Sequence, residues 1–149
     1  MENLTINVDC LRKFIHPFCS LEKLLPQGDI LIADSLGVLS CFSGRNLYAI
    51  GKQKPSVYKF FLQGDAWKHF CVVPLPRRFD AVLVFSNNPK EDFEPSVRFV
   101  INHCKENAVF LLRVEESFLP FAVSFLSGFS RIEVIFSSLI LAKLLRFPF

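Results

Sequence analysis

Asp80–Phe85 reads DAVLVF, and this unbroken apolar run predicts a strand that is buried on both faces. A turn sequence follows at Ser86–Pro89 (SNNP), and Phe93–Cys104 then carries apolar side chains at helical spacing. Asn107–Val114 (NAVFLLRV) is a second apolar run. Strand, helix and strand in this order predict two parallel strands joined by a crossover helix, in a sheet that is covered on both faces.

The residues after this unit predict a helix and a closing hairpin. Ser117–Leu126 has the pattern of a helix, Ile132–Phe136 that of a strand, and Leu139–Phe147 that of a final strand. A tight turn near Ser137 joins the last two, and so short a connection can only join antiparallel strands. The last strand is therefore expected to run against the others.

The first half of the chain predicts the same alternation of helix and strand. Residues 1–26 are expected to form a helical lead-in. Asp29–Ala33 and Asn46–Ile50 predict buried strands, and a short helix is expected to follow Gly37 between them. The whole chain, 1–149, is thus predicted to be one α/β domain, a three-layer mostly parallel sheet with one reversed strand.

The segment Lys54–Phe70 is open to two interpretations. A stripe of apolar side chains favours a helix, which would make Cys71–Leu75 the next strand. Alternatively, Val57–Leu62 is itself a strand. We favour the helix, because parallel neighbours need a crossover of about a dozen residues and Gly51–Ser56 is too short for one.

Composition excludes several functional classes. The longest stretch without a charge has 14 residues (Ser117–Ser130), and a bilayer-spanning helix needs about 20. No signal-peptide pattern is present, so a soluble, cytoplasmic protein is expected. The five cysteines include no C-x-x-C pair, which argues against a metal site. The net charge of +3 is scattered, so a solvated surface is favoured over nucleic-acid binding, which stays open.

The order of elements resembles the class I S-adenosylmethionine-dependent methyltransferase fold. Leu24–Ile32 (LLPQGDILI), followed by Gly37–Ser40, looks like the opening of such a domain, where a strand leads into a Gly-rich turn and a helix. Leu75–Val84 (LPRRFDAVLV) is similar to the start of the family's fourth strand. The resemblance covers about residues 20–149 and implies the family's strand order, with the reversed strand second from the edge.

The chain departs from the family at the residues that would hold the cofactor. The family has an acidic residue and a G-x-G-x-G turn at the end of its first strand, because glycine lets backbone amides approach the ligand closely. With Gly37 aligned to the last of those glycines, Ala33 and Ser35 occupy the first two and Leu31 the acidic position. The family's ribose-binding acid at the end of the second strand corresponds to Gly51.

Two aspartates could compensate for the missing acid. Asp34 lies one residue from the expected turn, and Gly64–Ala66 (GDA) resembles a family motif whose aspartate, here Asp65, contacts adenine. The role of Asp65 requires the strand interpretation of Val57–Leu62. Otherwise both aspartates are helix caps or exposed positions. If the chain is active, Asp34, Ser35, Gly37 and Asp65 are therefore the candidate cofactor-binding residues.

A candidate target site follows the fourth strand. Amino-methyltransferases of the family carry an (N/D)-P-P-(Y/F) turn there, whose carbonyl and aromatic ring hold the amine. Only Asn88 and Pro89 match, and the first aromatic residue after them is Phe93. An ordinary turn explains the same residues.

Three functions remain open. The favoured one is a non-catalytic methyltransferase-like domain, with no cofactor expected, that acts as an interaction module or partner subunit. The alternatives are an active methyltransferase with an altered cofactor site and an unrelated α/β binding module. Because 18 Phe exceed what one small core can bury, we expect the C-terminal edge, Leu144–Phe149, to contact a second copy or a partner protein. Packing of that segment against the chain's own helix is an equal alternative.

Overall fold

The computed structural model describes residues 25–33, 46–51, 60–63, 78–86, 88–136 and 138–148. Seven strands, two α-helices and a short 3-10 helix lie within these residues: β1 (Asp29–Ala33), β2 (Asn46–Gly51), β3 (Phe60–Gln63), β4 (Phe79–Val84), α1 (Phe93–His103), β5 (Cys104–Arg113), the 3-10 helix (Glu116–Phe118), α2 (Leu119–Leu126), β6 (Ser130–Phe136) and β7 (Leu139–Leu144).

The strands form one sheet in the order β3-β2-β1-β4-β5-β7-β6. The pairs from β3 to β5 are all parallel, and β7 is antiparallel to both β5 and β6. The reversed strand is therefore second from the edge, as the resemblance predicts. The predicted α/β class and mostly parallel sheet are confirmed.

The helix that we favoured for Lys54–Phe70 is wrong at Phe60–Gln63, which is strand β3 and pairs parallel with β2. Only the eight residues 52–59 separate the two strands, so this crossover is shorter than the dozen or so residues that we expected parallel neighbours to need. A row of inter-strand hydrogen bonds to β2 outweighs the helical spacing of a few apolar side chains. The predicted strand at Cys71–Leu75, residues 1–24 of the lead-in and the helix after Gly37 lie outside the described residues. Leu25 and Pro26, the last two residues of the predicted lead-in, are described and are not helical.

The second half of the chain follows the prediction with shifted boundaries. β5 begins directly after α1, at Cys104 and not at Asn107. The helix predicted at Ser117–Leu126 is divided into the 3-10 helix and α2, with Pro120 in the first turn of α2 where a missing N–H costs nothing.

Both faces of the sheet are buried, and α1 and α2 cover the same face. Phe99, Val100 and Leu126 pack there against sheet residues such as Phe110. The opposite face is buried too, with Ile32 and Leu83 fully inaccessible to solvent. Neither described helix is long and apolar enough to cross a membrane.

Candidate functional site

The parallel strands β1 to β4 end at one edge of the sheet. Ala33 at the end of β1 is paired with Ile50 and Val84, and Gly51 at the end of β2 is paired with Gln63. The backbone N–H of Phe85 donates to the carbonyl of Ala33 at 3.0 Å, which joins the ends of β1 and β4. Ligands of open α/β sheets bind outside the carboxyl ends of the strands, so this edge is the candidate site.

The strand ends themselves supply no carboxylate to this edge. β1 to β4 end in Ala33, Gly51, Gln63 and Val84, and none of these residues can be negatively charged. Gly51 is buried and occupies the end of β2, where the resemblance expects the ribose-binding acid. The predicted cofactor-binding residues Asp34, Ser35 and Gly37 follow β1 in sequence and lie outside the described residues.

The observed strand β3 bears on the predicted cofactor-binding role of Asp65. The adenine role of this aspartate requires a strand before the GDA sequence, and Phe60–Gln63 is that strand. Asp65 follows the strand by two residues in sequence, although it lies outside the described residues itself. Its candidacy therefore no longer depends on the interpretation that we had disfavoured.

The turn after β4 is held by hydrogen bonds around the buried Ser86. Its Oγ bonds the carboxylate of Asp92 and accepts the backbone N–H of Asn88 at 3.0 Å. The Asn88 carbonyl accepts the N–H of Asp92 at 2.9 Å, and the Arg113 guanidinium donates to the Ser86 carbonyl at 3.3 Å. Asn88 is exposed and Pro89 half-buried, so both predicted target-site residues lie at the surface of a tightly fixed turn.

Phe93, the first aromatic residue after this turn, packs against other aromatic rings. Phe93 is buried, and its ring meets the rings of Phe118, Phe121 and Phe125 edge-on, with centroids 5.2, 6.1 and 5.8 Å away. The ring is thus part of an aromatic cluster between α1 and α2. The target-amine role of Asn88 and Pro89 therefore stays a prediction.

Sequence reasoning missed the bond between Ser86 and Asp92. A Ser six residues before an Asp is a common combination and carries no signal by itself. The bond depends on β4 ending in a buried position, so that the Ser86 hydroxyl needs a partner within the turn.

The fold is similar to that of several solved structures. No protein-family model matches the sequence, and no curated protein matches it significantly. The chain is similar to a protein from Plasmodium falciparum described as a ribosomal RNA methyltransferase (12% identity, TM-score 0.61), covering 89% of this chain and 96% of that one. The O-methyltransferase TomG from Streptomyces achromogenes, solved with S-adenosylmethionine, has 16% identity and a TM-score of 0.55 over 90% and 79% of the two chains.

A further similar structure is longer than this chain. MycE, a methyltransferase of the mycinamycin biosynthetic pathway solved with Mg and S-adenosylhomocysteine, shares 10% identity at a TM-score of 0.58. The match covers 91% of this chain and 48% of MycE, so the chain spans about half of that enzyme. At these identities the similarity establishes the fold alone, which is the class I methyltransferase-like fold.

The described residues at the edge do not fit S-adenosylmethionine well. Two adjacent ribose hydroxyls need acceptors, and the end of β2 offers only the backbone of the buried Gly51. Lys52 is the next residue in the sequence and lies outside the described residues.

Proposed function

Starting from the class I methyltransferase-like fold, we propose that this chain does not transfer methyl groups and instead acts by binding, as an interaction module or as the partner subunit of an active enzyme. The observation that carries the proposal is Gly51 at the carboxyl end of β2. The fold is that of a methyltransferase, but the position that would recognise the cofactor ribose is a glycine, whose side chain is a single hydrogen atom.

The loss of the hydrogen bonds to the ribose is large enough to determine whether the cofactor binds. Hydrogen bonds to a charged acceptor contribute about 1.5–3 kcal/mol each, so the two together contribute about 3–6 kcal/mol. Water replaces the lost acceptor in part, and we expect a net cost of about 2–4 kcal/mol. That is roughly two to three orders of magnitude in dissociation constant. A cofactor bound at micromolar concentrations by an intact site would need nearly millimolar concentrations here.

Isothermal titration calorimetry of the full chain with S-adenosylmethionine tests the proposal. We expect no binding at ligand concentrations up to about 0.5 mM, a limit set by the weakening derived above. Gly51→Glu restores a carboxylate at the end of β2 and is expected to tighten binding at least tenfold. Gly51→Gln is the matched control of the same size without the charge. Micromolar binding by the unmodified chain would overturn the proposal.

A second candidate function is an active methyltransferase with an altered cofactor site. The observation that favours it is β3, because this strand meets the requirement for an adenine-binding role of Asp65. In that case Asp34 or Asp65 supplies the missing acid, and Asn88 and Pro89 form the target site. Asp34→Ala and Asp65→Ala would then each abolish a thermal shift produced by the cofactor, and a parent chain without any shift would exclude this function.

An unrelated α/β binding module is the least supported alternative. It would be favoured by a strand order different from that of the methyltransferases, and the order observed here, with β7 second from the edge, is theirs.

A further inference from the structure

A cavity lies at the edge of the sheet opposite the candidate cofactor site, where the parallel strands begin. It has a volume of about 360 Å³, within the range of small-molecule sites, which is about 300–1,000 Å³. Its lining includes Asp80 of β4, residues 105–109 of β5, Arg131 and Glu133 of β6 and Lys143 of β7. We call it the strand-start cavity.

The strand-start cavity lies where β5 extends beyond β7. Pairing between these strands begins only at Val109, which lies opposite Lys143, so among the described strands residues 104–108 have no partner on the β7 side. Successive residues of a regular strand point to opposite faces of the sheet, yet all of residues 105–109 line the cavity. Asn107, with φ 68°, interrupts the alternation. Polar residues at the start of β5 thereby share one cavity with the end of β7.

Two cationic side chains lie side by side at one end of the cavity. Arg131 and Lys143 are directly opposite each other in the β6–β7 pair, where like charges repel and destabilise a sheet. Glu133 accepts from Nε of Arg131 at 2.8 Å. Within the part of the chain that the structure describes, the terminal nitrogens of Arg131 and the ammonium of Lys143 make no hydrogen bond or ion pair. Both groups can therefore donate to one anion.

The other end of the cavity offers hydrogen-bond acceptors. The side chains of Glu106 and Asn107 are exposed and make no hydrogen bond or ion pair within the described residues, whereas Asp80 and Lys105 bind each other at 2.9 Å. A carboxylate and an amide oxygen suit the hydroxyl groups of a sugar. No aromatic ring is among the described lining residues, so this part of the cavity offers no surface on which a nucleobase could stack.

We propose that the strand-start cavity binds a sugar monophosphate, with its phosphate on Arg131 and Lys143 and its hydroxyl groups on Glu106 and Asn107. A phosphate accepts two parallel hydrogen bonds from the terminal nitrogens of an arginine and one from an ammonium. Val109, opposite Lys143, lies three residues after Glu106, or about 10 Å along the strand, so a ligand of this size is within reach of both ends.

The charge of the cavity favours a ligand with a single phosphate. Its described lining contains three basic and three acidic residues, so it is neutral as a whole. A polyanion would meet the carboxylates at the start of β5, whereas a neutral sugar body would not be repelled by them. The inference does not rest on the proposed function, because the cavity and the cofactor site lie at opposite edges of the sheet.

Isothermal titration calorimetry of the full chain with ribose 5-phosphate tests the proposal. We expect a dissociation constant of about 1 mM or lower, which is typical of a ligand with so few atoms. Inorganic phosphate should bind at least about tenfold more weakly, because it leaves the acceptors at the start of β5 unused. Ribose, which lacks the phosphate, should show no binding up to about 20 mM.

Substitutions at both ends of the cavity locate the ligand. Arg131→Met and Lys143→Met should each raise the dissociation constant of ribose 5-phosphate at least about tenfold, and each should leave the chain at least as stable because the repulsion between the two cations is gone. Glu106→Gln should weaken ribose 5-phosphate binding and leave that of inorganic phosphate unchanged. Arg98→Met is the matched control: Arg98 is an exposed arginine that pairs with Glu94 at 2.9 Å on α1, outside the cavity, and its loss should change binding less than about twofold.

Several results would overturn the proposal. Ribose 5-phosphate could fail to bind at about 20 mM, or Arg98→Met could weaken its binding as much as Arg131→Met. Inorganic phosphate that binds as tightly as ribose 5-phosphate would mean an unspecific anion contact only. Gly51→Glu changes the opposite edge of the sheet and should leave ribose 5-phosphate binding unchanged. If Gly51→Glu alters this binding and Lys143→Met does not, the sugar phosphate occupies the cofactor edge instead.

Discussion

Gly28→Ala should destabilise this protein more than an ordinary glycine substitution in a loop. Gly28 precedes β1 with φ +118°, a conformation that L-residues rarely adopt. A Cβ atom at this position would lie 2.2 Å from Oδ2 of Asp80, which accepts the backbone N–H of Asp29 at 2.9 Å. The same carboxylate binds Lys105, also at 2.9 Å. The new methyl group therefore displaces a side chain that connects β1, β4 and β5.

The magnitude follows from two contributions. A non-glycine residue in such a backbone conformation costs about 1–3 kcal/mol. Moving the Asp80 carboxylate away from the Asp29 N–H loses a charge-assisted hydrogen bond of about 1.5–3 kcal/mol. The Lys105 pair is half-exposed and adds little. We expect a loss of about 3 kcal/mol in the free energy of unfolding, or roughly 6–12 °C in melting temperature for a chain of this length.

Urea denaturation of Gly28→Ala, Asp80→Ala and the double variant measures the two contributions separately. In the Asp80→Ala background only the backbone strain remains, so the double variant should be more stable than the sum of the single effects predicts, by at least about 1 kcal/mol. Gly128→Ala is the control, because a Cβ there meets only the Phe125 carbonyl oxygen at 3.3 Å. Purely additive effects, or equal losses at Gly28 and Gly128, would refute the reasoning.

Two further predictions concern residues at the same end of the sheet, where β4 and β5 begin. Arg78→Met removes the donor to the Ile101 and Cys104 carbonyls and the cation over Phe147, and we expect thermal unfolding to show a loss of about 1–3 kcal/mol, with Arg78→Lys intermediate. Burial raises the pKa of the Cys104 thiol despite the nearby Arg78, so the folded state keeps the thiol neutral while the unfolded state ionises near pH 8.5. The neutral thiol therefore contributes to stability fully below pH 8.5, and the free energy of unfolding falls as pH rises above it, by up to about 1.4 kcal/mol per pH unit. In urea denaturation at pH 8–10, about the range in which a free thiol ionises, Cys104→Ala should lose less of its free energy of unfolding than the unmodified chain. Equal losses in the two proteins would contradict this explanation.

The parts of the fold that the sequence predicted are those in which local pattern and burial agree. The runs DILIA and FDAVLV are buried along almost their whole length as β1 and β4, and the short connection before Leu139 required an antiparallel pair. The strand β3 was disfavoured because its residues also fit a helical stripe. Only pairing with β2 distinguishes the two, and that contact is not local.

The first three residues of β5, Cys104–Glu106, were missed for a different physical reason. Residues 105–107 are exposed and polar, so they give no signal of a strand buried on both faces. The structure extends β5 to Cys104, which pairs with Phe79, and an irregularity between Phe79 and Ala81 absorbs the difference in register. Asn107 has φ 68° within this stretch. Irregular pairing of this kind depends on the neighbouring strand and has no sequence pattern of its own.

The candidate site could be placed by sequence only as far as the strand ends. The sequence placed Gly51 correctly at the end of β2, because the apolar run Asn46–Ile50 that predicts the strand stops there. The bonds around Ser86 could not be predicted, since they depend on how the turn closes after β4.

The sheet order makes one substitution decide between the two main functions. Gly51 ends the strand between β1 and β3, and neighbouring strands lie about 4.8 Å apart. Asp34 follows β1 and Asp65 follows β3 in sequence, so an aspartate that replaces the missing acid must place its carboxylate near the end of β2. Gly51→Glu would then bring a second carboxylate into the same space, and repulsion between the two should weaken cofactor binding. If no aspartate compensates, the same substitution supplies the absent acceptor and strengthens binding. The sign of the change in affinity therefore distinguishes a domain that acts by binding from an active methyltransferase.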